Sequence, residues 1–113
     1  MAGGGSDKGV FVEIAWHVNP FRGDKFQAAW LPAAEAVLDY GASYWALLRA
    51  QEGRLDFLQH AIFPSKADFE RYWYSERIAQ ARVAVAGYYQ VPLLPQFHEL
   101  VGAGVAETAP AGR

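Results

Sequence analysis

The sequence predicts an α+β domain of ferredoxin-like topology: strand, helix, strand, strand, helix, strand, with a four-stranded antiparallel sheet covered by helices on one face. Three observations predict it. The stretch "GVFVEIAWHV" alternates with period two and is rich in β-branched residues, which is a strand pattern. The runs "ASYWALLRAQ" and "LDFLQHAIF" are separated only by "EGR", which is the spacing of a hairpin. Segments with apolar residues at helical spacing flank that hairpin on both sides, and this order is the split βαβ arrangement.

In the first strand Val10, Val12, Ile14, Trp16 and Val18 share one face, and Phe11, Glu13, Ala15 and His17 share the other. Neither face is wholly polar, so both are expected to be covered. "NPFRGD" then turns the chain. Asp24 and Gln27 have capping-box spacing, which starts a helix near Lys25. Phe26, Trp30, Ala33 and Val37 follow at helical intervals. Pro32 conflicts with this helix, because it removes a hydrogen bond and crowds the preceding turn. The expectation there is a kink, or a short helix followed by a second one. Gly41 suits the left-handed position after a helix end.

After the hairpin, Pro64 stops the strand and Ser65 caps the next helix, with Asp68 three residues on as the shorter analogue of a capping box. That helix runs to about Ala86 with a break near Ser75, and Gly87 ends it. "LLPQFHELV" is the last strand, and Pro95 within it requires an edge position or a bulge.

At 113 residues the chain has the length of one domain. Residues 1–8, with three consecutive glycines, and residues 102–113, small and polar, read as flexible tails around a folded part at 9–101. The formal net charge of −2 lacks the basic face that nucleic acid requires. No cysteine is present, which removes disulfides, thiolate metal ligands and thiol nucleophiles. No apolar run approaches the roughly 20 residues of a membrane span, and the start of the chain has no signal-type segment. A cytoplasmic location is the expectation. The sheet face bearing Phe11 and Ala15 is too apolar to form an uncovered patch, so a homodimer through the sheet face is expected.

The stretches "VNPFRGDKF", "YGASYWALLRA" and above all "HAIFPSKADFERYWYSE" make the chain resemble the dimeric α+β barrel proteins, and within them the antibiotic-biosynthesis-monooxygenase-like family. The resemblance spreads over nearly the whole folded region as a pattern of residue types. It implies a pocket in each subunit between sheet and helices. Some members oxygenate polycyclic aromatic compounds without metal or flavin, and others bind and degrade haem. Phe63 stands where the family often has a tryptophan beside the pocket. Around Tyr72 and Trp73 this chain has no histidine, whereas haem-degrading relatives use a helix histidine as the iron ligand. Trp cannot replace it as a normal axial ligand.

Trp16, Trp30, Phe63, Phe69 and Trp73 are the candidate substrate-binding residues, since aromatic walls hold flat molecules and exclude water. The competing reading is that they simply fill the core. The histidines are His17, His60 and His98, all on predicted strands. With Glu13 they make a conceivable metal set, but their spacing carries no metal signature, so neither a metal nor another cofactor is expected. His17 and Glu13 fit a polar layer at a dimer interface. His60, on the third and central strand, is the candidate general base at the floor of the pocket. Tyr72 and Asn19 are candidates to hold an anionic intermediate by hydrogen bonds; for Asn19 the resemblance implies that role, and an Asn-Pro turn is the competing reading.

Together these features point to cofactor-independent oxidation of a small phenolic or enolic aromatic compound, with Trp16 and Trp73 sandwiching its ring. The rival function is a non-catalytic dimeric barrel that binds a small hydrophobic ligand or serves a structural role. An isomerase or dehydratase on the same scaffold is a third. No phosphate-binding loop or nucleophile elbow accompanies them.

Overall fold

The structure is a computed structural model that describes residues 9–106. The tail expected at residues 1–8 and the end of the one expected at 102–113 lie outside the described residues. Residues 102–106 are exposed and without regular secondary structure.

Strands β1 (Val10–His17), β2 (Tyr44–Arg49), β3 (Asp56–Phe63) and β4 (Gln96–Glu99) form one sheet in the order β2-β3-β1-β4. All pairings are antiparallel. This is the ferredoxin-like α+β order that the sequence predicts. Helices α1 (Gly23–Glu35), α2 (Lys66–Trp73) and α3 (Glu76–Ala84) lie on the chain path between strands.

Strand parity decides what each face carries. Val12, Ile14 and Trp16 of β1, with Phe57, Ala61 and Phe63 of β3, are buried beneath the helices. Phe26 and Trp30 of α1, Phe69, Tyr72 and Trp73 of α2, and Ile78 of α3 meet them from above. Burying a large apolar side chain contributes about 1.5–3 kcal/mol, so this layer supplies most of the fold's driving force.

Four local expectations are corrected. The helix α1 begins at Gly23 with Arg22 as its N-cap, and no side chain caps it. Asp24 and Gln27 do not form a capping box; both accept hydrogen bonds from Nη1 of Arg49, each at 2.9 Å. Pro32 neither divides nor ends the helix, which runs on to Glu35 and tightens into a 3-10 turn at Ala36–Tyr40. Pro32 is on the exposed side, where a backbone carbonyl left without its helical partner can meet water. The last strand is shorter than expected and starts only after Pro95, at the sheet edge.

Other local signals act as read. Gly41 takes φ +98° after the 3-10 turn, a conformation that costs a residue with a Cβ. Ser65 caps α2, accepting from the Asp68 amide at 3.3 Å. Ser75 breaks the helical segment and caps α3, accepting from the Ile78 amide at 3.2 Å.

Candidate functional site

Beneath the helices the interior is closed around one polar side chain. Gln59 lies on β3 at an inward position between Phe57 and Ala61 and is 2% exposed. Its Oε1 accepts from the indole N–H of Trp30 at 2.9 Å and from that of Trp16 at 3.1 Å. Its Nε2 donates to the Tyr72 hydroxyl at 3.1 Å, and that hydroxyl donates to the carbonyl of Ala33 at 2.7 Å. Among the described residues no buried side-chain nitrogen or oxygen is left without a partner. A satisfied network of this kind fixes ring positions, because breaking it strands buried donors. Burial holds the Tyr72 phenol well above its usual pKa.

The ring positions leave no slot for a sandwiched substrate between Trp16 and Trp73. Their centroids are 6.2 Å apart at an interplanar angle of 51°, and a ring inserted between two others needs about 7 Å, two van der Waals separations. Trp16 also packs on Trp30 at 4.6 Å and edge-on to Tyr89 at 4.9 Å. Phe63 packs edge-on to Phe69 at 5.7 Å. One side of Trp73 is stacked on Phe69, and Arg82 stands over its ring at 4.3 Å. Phe63, Trp16, Trp30, Phe69 and Trp73 are thus one connected aromatic core.

The three residues singled out for catalysis are not brought together. Tyr72 is in the core network. Asn19 is half-buried at the end of β1, where its side-chain amide donates to the Gly87 carbonyl at 3.1 Å and its backbone N–H donates to the Tyr88 carbonyl at 2.8 Å. It fastens the first strand to the segment after α3. His60 is not at the floor of a pocket beneath the helices. Parity puts Phe57, Gln59, Ala61 and Phe63 on the helix side, so His60 faces the opposite, open side of the sheet.

That open face has its own polar centre. His60 Nε2 lies 3.1 Å from Glu13 Oε2, and His98 Nε2 lies 3.6 Å from Glu13 Oε1. The register explains this: Glu13 pairs directly with His60 of β3, and His98 of β4 is opposite Phe11. Phe11 packs on the His60 ring at 4.8 Å. At the rim His17 Nδ1 is 2.8 Å from Asp56 Oδ1, a hydrogen bond that holds the Asp56 carboxyl below its usual value. Among the described residues no group of three potential ligands is arranged to hold a metal ion.

Four clefts on the described surface have none of His60, Tyr72, Asn19, Trp16 or Trp30 in their walls. Two of the expected substrate-binding residues do reach one of them. Phe69 and Trp73 line a cleft of about 320 Å³ between α2 and the segment entering β4. Leu93, Leu94, Pro95 and Phe97 form its other wall, and Lys66, Glu70 and Tyr74 supply its polar groups. The Lys66 ammonium stands 4.7 Å from the centroid of the Phe97 ring. Sequence reasoning missed this juxtaposition of α2 with the segment before β4. It also missed Gln59, whose signal was a lone polar residue in the inward register of a central strand.

No family model matches the chain, and no curated protein matches it in sequence. Solved structures do. SnoaB, a cofactor-independent oxygenase from Streptomyces nogalater, superposes with a TM-score of 0.68 at 14% identity, covering 89% of this chain and 96% of that one. A structure described as an antibiotic biosynthesis monooxygenase gives 0.72 at 12% identity, covering 82% of this chain and 99% of the other. A protein from Mycobacterium tuberculosis gives 0.68 at 14%, covering 88% and 98%. At such identities the likeness is one of fold. The chain therefore shares its α+β fold with these proteins.

Proposed function

We propose that the chain works as a homodimer and oxidises a small phenolic or enolic aromatic compound in the cleft between α2 and the segment entering β4, without a bound cofactor. The observation that carries this reading is the composition of the cleft: an apolar wall of Phe69, Trp73, Leu93, Leu94, Pro95 and Phe97, with Lys66 in the lining and its ammonium over the Phe97 ring. The fold shared with a cofactor-independent oxygenase supports the reaction type.

In this reading the flat ring lies against the apolar wall and its oxygen faces Lys66. The cation stabilises the phenolate or enolate, which is electrostatic stabilisation of developing charge. The electron-rich carbon then takes up dioxygen, and loss of water leaves a carbonyl. One CH2 group and one O2 become one C=O and one H2O, with the substrate supplying all four electrons. Asn19 and Tyr72 hold the surrounding fold, and His60 belongs to the opposite face of the sheet.

The homodimer forms through the open sheet face. Phe11, Ala15, Leu58 and Ile62 are half-buried there, and Tyr44 and Leu48 are 45% and 46% exposed. This face carries carboxylates and histidines side by side, a mixture that supports pairing with a second copy of itself.

The test is oxygen uptake over a panel of phenols and enolisable polycyclic ketones, with purified wild type and Lys66→Gln. Substrate-dependent uptake that falls about 100-fold in the variant supports the reading. No uptake with any compound, or uptake unchanged by the substitution, contradicts it. A second reading, the non-catalytic dimeric barrel, is favoured by the closed interior around Gln59, where no ring can be admitted between Trp16 and Trp73. It expects an intact dimer with no oxygen uptake.

A further inference from the structure

All three histidines of the chain lie on one side of one sheet. Each stands beside a carboxylate: His17 beside Asp56, His60 and His98 beside Glu13. The partition is unequal, because Glu13 is shared by two imidazoles. We infer that the open face is a proton-sensitive self-association surface, held together near neutral pH and opened by acid through the Glu13–His60–His98 cluster. This inference rests on the reading that the chain dimerises through this face.

Charge balance in the cluster makes the face sensitive to acid. With both imidazoles neutral, Glu13 is a carboxylate flanked by two groups able to donate an N–H to it, and with one histidinium the cluster is neutral. When both imidazoles are charged, the cluster carries +1 in each copy. Association removes both clusters from water together, and burying unbalanced charge is costly. Histidine is the side chain whose charge ordinarily changes between pH 5 and 8, so that is the range to test.

The rest of the face does not cancel the change. From β1 come Phe11, Ala15 and His17; from β3, Asp56, Leu58 and Ile62; from β2, Tyr44, Ala46 and Leu48; from β4, Gln96. Tyr44 aside, the ionisable groups among these are His17 and Asp56, and the hydrogen bond with His17 holds the Asp56 carboxyl below its usual value, so it keeps its charge across this range. They pair with each other at the rim, where Arg54 also approaches Asp56 at 3.5 Å. Among the described residues no second carboxylate pairs with either imidazole of the central cluster. His98 is the more exposed of the two imidazoles, with 48% of its side chain accessible against 19% for His60. It is therefore the one whose charging leaves an imidazolium without a carboxylate of its own.

The experiment is sedimentation equilibrium of the full chain at pH 5.0, 6.0, 7.0 and 8.0, on wild type, His98→Gln and His17→Gln, at constant ionic strength. The expected result is a dimer dissociation constant that rises at least tenfold from pH 7 to pH 5 in wild type and in His17→Gln. In His98→Gln the rise should be less than about threefold. A dimer whose affinity is flat across this range overturns the inference and leaves the dimer reading standing. An acid rise undiminished in His98→Gln also overturns it. A monomer at every pH overturns both. Far-UV circular dichroism at each pH separates dissociation from unfolding, and acid loss of the dimer only through unfolding counts against the inference.

Discussion

Trp30 donates its indole N–H to Gln59 across the boundary between helix and sheet at 2.9 Å, and this bond helps to close the interior of the domain. Trp16 donates to the same oxygen from the neighbouring strand. One amide thus fixes two indoles and, through its nitrogen, the Tyr72 hydroxyl.

Replacing Gln59 by leucine removes the acceptor from two buried indoles. Each stranded donor costs about 1–3 kcal/mol. Gln59→Leu should therefore lose roughly 2–6 kcal/mol in urea unfolding, while Trp30→Phe combined with Gln59→Leu should lose less than the sum of the two single changes. Simple additivity would mean that the bond contributes nothing.

Burial raises the pKa of the Tyr72 phenol. The sign follows from linkage: above the unfolded value near 10 the unfolded chain releases this proton and the folded chain keeps it, so stability is full below that pH and falls as pH rises beyond it. Alkaline titration of tyrosine absorbance should show one phenol ionising only as the protein unfolds. In Tyr72→Phe that late step should vanish. Its persistence would assign the late phenol to another tyrosine.

The serine caps are separable from any function. Ser75→Ala removes the acceptor for the Ile78 amide at the start of α3 and should cost about 1 kcal/mol. Thermal unfolding checks this, and the oligomeric state should not change.

Much of this architecture was legible in the sequence because period-two alternation is a local property. The parity of Val12, Ile14 and Trp16 gives the buried face of β1 directly. The same parity in β3 was already enough to turn His60 away from the helices, once Phe57, Ala61 and Phe63 are taken as the inward set. What was not legible depends on contacts between distant segments. Asp24 and Gln27 have the spacing of a cap, yet Arg49, at the far end of β2, takes both side chains. The cleft at Lys66 and Phe97 joins positions 31 residues apart, whose approach follows from how the segment after α3 returns to the sheet edge. Pro32 shows the reverse: a local conflict strong enough to suggest two helices is accommodated within one, with the residue on the exposed side.

Ala46, on the edge strand β2, is paired with His60 on the open face. An arginine there would project from the sheet without entering the core, so Ala46→Arg should fold with unchanged circular dichroism and run as a single subunit at concentrations where the wild type is paired. A dimer of unaltered affinity would place the contact elsewhere.

The measurement that bears most directly on the whole account is the mass of the unmodified chain in solution at neutral pH and tens of micromolar, by sedimentation velocity. The account predicts one species of twice the 12.5 kDa of a single chain. A stable 12.5 kDa particle, with Tyr44 and Leu48 of the open face left in water, would contradict it.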